Sequence, residues 1–193
     1  MTKVLLTGFE PFGTATSNPS GEIVKQISGD NIVTAILPVA YAQSAERLLA
    51  LIAEHNPDVV ICLGQAEGRT QITPEKVAIN LDDARLADNE GALRNDVKIL
   101  EGGPDAYFST LPVKEIVDAI KTAGVPAAIS LSAGAFLCNH VFYVAQNKFA
   151  GTNVRSGFVH VPLMDSQAAE FPGLPTMPLD QMVIAVRAML EVL

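Results

Sequence analysis

The chain has 193 residues, 49% of them hydrophobic, enough for one sizeable core and too few for two comfortable domains, so a single domain over residues 1–193 is expected. The net charge of −8 argues against a nucleic-acid or anionic-membrane partner, because gripping phosphates needs a basic face. Two widely separated cysteines, with no CxxC between them, exclude a disulfide scaffold and a zinc ribbon.

In chain order, "KVLLTGF" (3–9) reads as a buried strand. The apolar run there is too short for a secretory signal, which predicts a cytoplasmic protein. Asn18 and Pro19 form a helix-start pair, N-cap and first helical residue, for a helix over 19–28. A strand over 31–39, "NIVTAILPV", and a helix over 42–55 follow. "DVVICLG" (58–64) is the next buried strand. The polar, glycine-bearing stretch 81–107 is too long for an ordinary connection, so it is expected to be functional or to carry short strands of its own. A helix over 112–123 leads into a segment, 122–147, with no Lys, Arg, Asp or Glu across 26 residues. That is long enough for a membrane span. Pro126, Gly134, Asn139 and His140 interrupt it, however, and it reads better as a buried strand "AAISL" (127–131), a turn and a helix over 138–148. "SGFVHVPL" (156–163) is a last strand, and 180–192 a last helix.

Strand–helix alternation of this kind predicts an α/β fold: three layers, α/β/α, with a mostly parallel twisted sheet and helices on both faces. Ligands in such sheets gather where strands end and helices begin. Three segments sit at such ends: "TGFEPFG", "GQAEGR" and "SAGAFLCNH".

Cys138 follows a small-residue turn and opens a helix. Unpaired backbone N–H groups and the helix dipole favour a thiolate there, and the same N–H groups can hold an oxyanion during acyl transfer. The alternative is a buried, inert cysteine. Cys62, inside "VVICLG", fits the core. Two residues apart on a helix, Cys138 and His140 do not face each other. His55, closing a helix, fits capping or solvent. His160 stands in an apolar strand near its end, where it can serve as base or simply be a hydrogen-bonded core histidine. A histidine base needs an orienter. If "QITPEKVAINL" is one strand, Glu75, Val77 and Ile79 share a face, and a carboxylate on an apolar face needs a partner. An imidazole would serve; so would a plain salt bridge.

Together, "LLTGFEPFG" with "NPS" behind it, "GQAEGRTQITPEKVAINLDDARLADNEG", "SAGAFLCNHVFY" and "GFVHVPL" resemble the pyroglutamyl-peptidase I family, over nearly the whole chain. That family consists of cysteine peptidases with an α/β/α fold that remove an N-terminal pyroglutamyl residue from peptides. The resemblance implies Cys138 as nucleophile, His160 as general base and acid, and Glu75 as orienter. It implies Phe12 and Phe136 as the aromatic walls that hold the flat lactam ring, and Gln65 as a polar pocket residue. Without it, core packing would account for both phenylalanines. The chemistry is coherent, because a planar, uncharged lactam suits aromatic faces plus a few hydrogen-bond groups. The resemblance further implies a homotetramer acting on peptides with an N-terminal pyroglutamate, with no metal or cofactor. One departure is Ala135, where family members commonly carry threonine.

Two other readings are weaker. A class I glutamine amidotransferase has a Gly-x-Cys-x-Gly elbow and a glutamate two residues after its histidine. Here Phe136 and His140 take the glycine positions, and residue 162 is proline. A non-catalytic binding domain would not need Cys138, His160 and Glu75 together.

Overall fold

The computed structural model describes residues 2–193. In chain order the elements are β1 (Val4–Phe9), α1 (Pro19–Val24), β2 (Ile32–Leu37), α2 (Tyr41–His55), β3 (Val59–Gln65), β4 (Thr73–Pro74), β5 (Val77–Ile79), β6 (Ala106–Phe108), α3 (Val113–Thr122), α4 (Leu137–Phe149), β7 (Arg155–Val161), β8 (Leu163–Met164), β9 (Thr176–Met177) and α5 (Leu179–Leu190).

The central sheet has five strands in the order β2-β1-β3-β7-β4. Its ladders β1–β2, β1–β3 and β3–β7 are parallel; only the short β4 runs antiparallel, against β7. Every residue of β1 and β3 is buried, as expected of strands covered on both faces. One face packs Ile23 and Val24 of α1, Ile116 and Ile120 of α3, and Met182 and Val186 of α5. The other packs Leu48 and Ile52 of α2 with Val141 and Phe142 of α4. This is the three-layer α/β/α arrangement expected from the alternation. No helix among the described residues is long and apolar enough to cross a membrane.

The helix-start pair behaves as expected. The Asn18 side chain accepts a hydrogen bond from the Ser20 N–H, and Pro19 is the first helical residue. The helix, though, ends at Val24 and does not reach 28. The start of α2 has no side-chain cap of its own; Asp88, from the long polar stretch, accepts from the Tyr41 N–H at 2.9 Å. That stretch contains little regular structure beyond β6 and an isolated bridge between Asp82 and Val97.

Three expectations are corrected. Residues 127–131 are extended but do not form a strand: they touch 72–75 only through isolated bridges, Ile72 to Ala127 and Glu75 to Ser130. Their neighbour is Pro74, which has no N–H to donate, so a continuous parallel ladder cannot form. Residues 73–79 are not one strand either. β4 belongs to the main sheet and β5 pairs with β6 in a separate hairpin-like sheet, with Glu75 at the break. Glu75 and Ala78 are buried while Val77 and Ile79 are only half-buried, so the assumed alternation fails although Glu75 is inside. Finally, the last strand splits at Pro162, and β8 leaves the main sheet to pair with β9.

Candidate active site

β3 and β7 run side by side with Gly64 paired to His160, and α4 starts above this pair. Cys138 is the second residue of α4. It lies over Gly64: a Cβ added there would stand 2.9 Å from the Cys138 sulfur and 2.6 Å from the Phe158 ring. The absence of a side chain at position 64 is therefore what lets the thiol settle onto the strand ends. The turn before α4 is made by Gly134, at φ +75°, a backbone region that favours glycine. The first N–H groups of α4 lack helical partners, as at any helix start, because the first bond back into the helix comes from the His140 N–H to the Phe136 carbonyl.

His160 is buried, and its Nδ1 lies 2.7 Å from Glu75 Oε1. Glu75 is fully buried, with its backbone N–H donating to the Phe158 carbonyl at 2.9 Å. The same Oε1 receives the Arg69 guanidinium at 2.9 Å. Arg69 also donates to the Thr73 hydroxyl and, at 3.1 Å, to the Ser132 carbonyl, tying the carboxylate to the turn that leads into Cys138. Arg69 was not singled out from the sequence. The one signal for it was the requirement of a buried carboxylate for a cation, with Arg69 six positions before Glu75.

His140, by contrast, pairs with Asp82 at 2.9 Å, and Arg94 bonds the same Asp82 oxygen at 2.5 Å. This second buried histidine is occupied on the side of α4 packed against Tyr41, whose ring it meets edge-on at 5.4 Å.

Burial dominates the electrostatics. It pushes the Cys138 thiol from 9.0 up to about 12, with the Glu75 charge adding to the rise; Arg69 and the backbone N–H of Cys138 pull the other way. The expected thiolate is thus corrected. Part of the residue reaches solvent, but desolvation of the sulfur outweighs the helix N-terminus. Burial likewise lowers His160 below its ordinary 6.5, although the bond to Glu75 opposes it. Both shifts favour the neutral forms, thiol and imidazole, in the free chain.

Beside Cys138 lies a small pocket walled by Phe9, Phe12, Phe136 and Leu137, with Gln65 among its few polar groups. The Phe12 and Phe136 rings are 6.3 Å apart at 50°, and Tyr41 braces Phe136 edge-on at 5.7 Å. Gln65 ends β3, is 7% exposed, and bonds to Gln167, which the sequence reading did not single out and no local pattern marks. All six candidate residues thus converge on one end of the sheet: Glu75, Cys138 and His160 in one group, Phe12, Gln65 and Phe136 around the adjoining pocket.

Comparison with known proteins places the chain in a family. The pyroglutamyl peptidase family model matches residues 2–193. The chain is 48% identical to pyrrolidone-carboxylate peptidase 1 of Ralstonia nicotianae, over 99% of this chain and 92% of that protein. It is 43% identical to the pyrrolidone-carboxylate peptidase of Bacillus cytotoxicus, over 100% and 93%. Among solved structures, pyroglutamyl peptidase I from Bacillus amyloliquefaciens superposes with a TM-score of 0.94 at 44% identity, covering 97% of this chain and 92% of that one. A mutant pyrrolidone carboxyl peptidase from Pyrococcus furiosus gives 0.93 at 40%, covering 98% and 97%. With a family match from end to end and relatives this similar over their whole length, the chain belongs to the pyroglutamyl peptidase family.

Proposed function

We propose that this chain is a cysteine peptidase that removes an N-terminal pyroglutamyl residue from peptides, with Cys138, His160 and Glu75 as its catalytic group. The observation that carries the assignment of roles is the 2.7 Å bond from the His160 ring to a fully buried carboxylate, at the strand ends beneath the start of α4.

The chemistry follows from the positions. The lactam enters the aromatic pocket and presents the scissile carbonyl to Cys138. The sulfur attacks the carbonyl carbon while the thiol proton passes to Nε2 of His160. Glu75 accepts from Nδ1–H, fixing the tautomer and balancing the imidazolium that forms. Arg69 pairs with Glu75 and anchors it. The oxyanion is held by N–H groups at the start of α4. On collapse, His160 returns its proton to the leaving amine, leaving a thioester on Cys138. Water, deprotonated by His160, then releases pyroglutamate. No step calls for a metal or a cofactor.

The test is release of a chromogenic amine from a pyroglutamyl amide, with and without prolonged iodoacetamide treatment. Release that survives full alkylation of Cys138 would contradict the proposal.

A buried neutral base has a readable pH signature. His160 must be unprotonated to accept the thiol proton, and its pKa lies below the ordinary 6.5. kcat/KM should therefore hold steady as pH falls through 6.5 and decline only below it. An acid limb centred above 6.5 would argue against that environment. Gly64→Ala is a second expectation. Its methyl would press on both Phe158 and the Cys138 sulfur, so stability should fall by about 1–3 kcal/mol and turnover should drop with it. Thermal melts and the same amide assay read both.

Two broader points belong to the same reading. A working thiol beside a second free cysteine, Cys62, fits the reducing cytoplasm. A homotetramer is implied by the resemblance; exposed Phe108 and Leu131, whose segments hydrogen-bond to the two sides of residue 76, fit a subunit contact without fixing the number of subunits, which sedimentation measurements would test.

A further inference from the structure

We infer that Gln167 is a positioning residue that sets the polarity of the pocket, by holding the Gln65 amide so that its N–H group, and not its carbonyl, serves the substrate. The inference deepens the reading above and rests on it.

Gln167 lies in a short helical turn, Asp165–Gln167, just after β8, and is fully buried. Both hydrogens of its amide nitrogen and one acceptor site of its oxygen are engaged within the chain. Oε1 accepts from the Met164 N–H at 2.9 Å. Nε2 donates to the Ser17 carbonyl at 3.2 Å and to Gln65 Oε1 at 3.0 Å. Two of these partners are backbone groups of opposite and unalterable polarity: an N–H that can only donate and a C=O that can only accept. They fix which end of the Gln167 amide is nitrogen. Since that nitrogen faces Gln65, the Gln65 atom opposite it must be the oxygen.

The consequence appears at the pocket wall. Gln65 Nε2 is buried and has no partner in the chain. Asn18, the other amide on that wall, is already engaged, accepting from Ser20 and donating to the Glu10 carbonyl. A buried donor without an acceptor is costly unless a ligand supplies one. The lactam ring carbonyl is such an acceptor, and the proline ring lacks it. Turning Gln65 over would set nitrogen against nitrogen at Gln167 and offer the substrate carbonyl another oxygen. Gln167 thus makes the pocket a donor site without touching the substrate.

The experiment measures kcat/KM for pyroglutamyl and prolyl amides carrying one leaving group, in the wild type, Gln65→Ala, Gln167→Met and the double variant, with a thermal melt for each. The expected result is a pyroglutamyl-to-prolyl ratio lowered by Gln167→Met toward that of Gln65→Ala, by up to about tenfold, and no further lowering when it is added to Gln65→Ala. A purely structural role would depress both substrates equally and leave the ratio alone. If Gln65→Ala lowers the ratio but a folded Gln167→Met does not, the inference is overturned while the substrate assignment stands. If Gln65→Ala itself leaves the ratio unchanged, Gln65 does not read the ring carbonyl and the inference is overturned, while the wild-type ratio separately tests the substrate assignment. Should Gln167→Met not fold, Gln65→Glu decides. Its carboxylate still accepts from Gln167 and offers the pocket only an acceptor, so the ratio should fall below that of Gln65→Ala; a wild-type ratio there overturns the inference.

Discussion

Cys138→Ala should lower turnover of a pyroglutamyl amide by about 10⁵-fold or more, with the fold intact. The side chain removed is small and only half-buried, so the cavity left is minor. What is lost is the only thiol standing at the start of a helix above the His160–Glu75 pair. Cys62→Ser is the contrasting variant. Cys62 is fully buried inside β3 and packs with the core on the α2 and α4 side. A hydroxyl placed there costs about 1–3 kcal/mol when poorly bonded, so stability should fall while the chemistry persists. His160→Gln should be as damaging as Cys138→Ala, because a thiol whose pKa is raised needs a base to take its proton. Groups acting as a unit show non-additive losses, so the double variant should be no worse than either single one. His140→Gln should be milder, since that ring is engaged with Asp82. The check is a set of turnover rates with melts. Reversed phenotypes for the two cysteines would move the nucleophile to Cys62, and an active His160→Gln would remove the base assignment.

The second large effect is in substrate choice. Pyroglutamyl amides should be favoured over prolyl amides by about 10⁴-fold in kcat/KM, as in sites that reject an analogue for a missing polar group. The prolyl ring has nearly the same shape. It lacks the carbonyl that the partnerless Gln65 Nε2 would meet, and its amine brings a charge between the Phe12 and Phe136 rings. Cation–π attraction would offset about 1 kcal/mol of that penalty. Glutaminyl amides, open-chain and charged, should be poorer still. Gln65→Ala should reduce the pyroglutamyl rate by about tenfold, the scale of one neutral hydrogen bond, and change the prolyl rate less. Comparable kcat/KM values for the two wild-type reactions would mean that the pocket does not read the lactam carbonyl.

The sequence by itself determined the α/β/α class, because strands covered on both faces must be continuous apolar runs and the helices between them must carry one apolar stripe. "VLLTGF" and "VVICLG" could hardly be anything else. It also placed Cys138 at a helix start and His160 near a strand end, since both positions follow from where periodicity changes. For Glu75 local pattern reached only a carboxylate in need of a partner, and the alternation used to bury it was wrong. The resemblance gave it a role. Tertiary structure decided the rest. Glu75 is inside because Pro74 ends one strand and the chain crosses to a second sheet beneath β7. Arg69 matters because it holds Glu75 and also reaches the Ser132 carbonyl, 63 positions from Arg69 itself. Burial, which no spacing reports, made the thiol neutral where the helix start alone argued for a thiolate. Gln167 reaches Gln65 across 102 positions. Hydrogen-bond complementarity at that separation leaves no trace in hydrophobic periodicity, which records which face of an element is buried but not which polar atom waits on the other side.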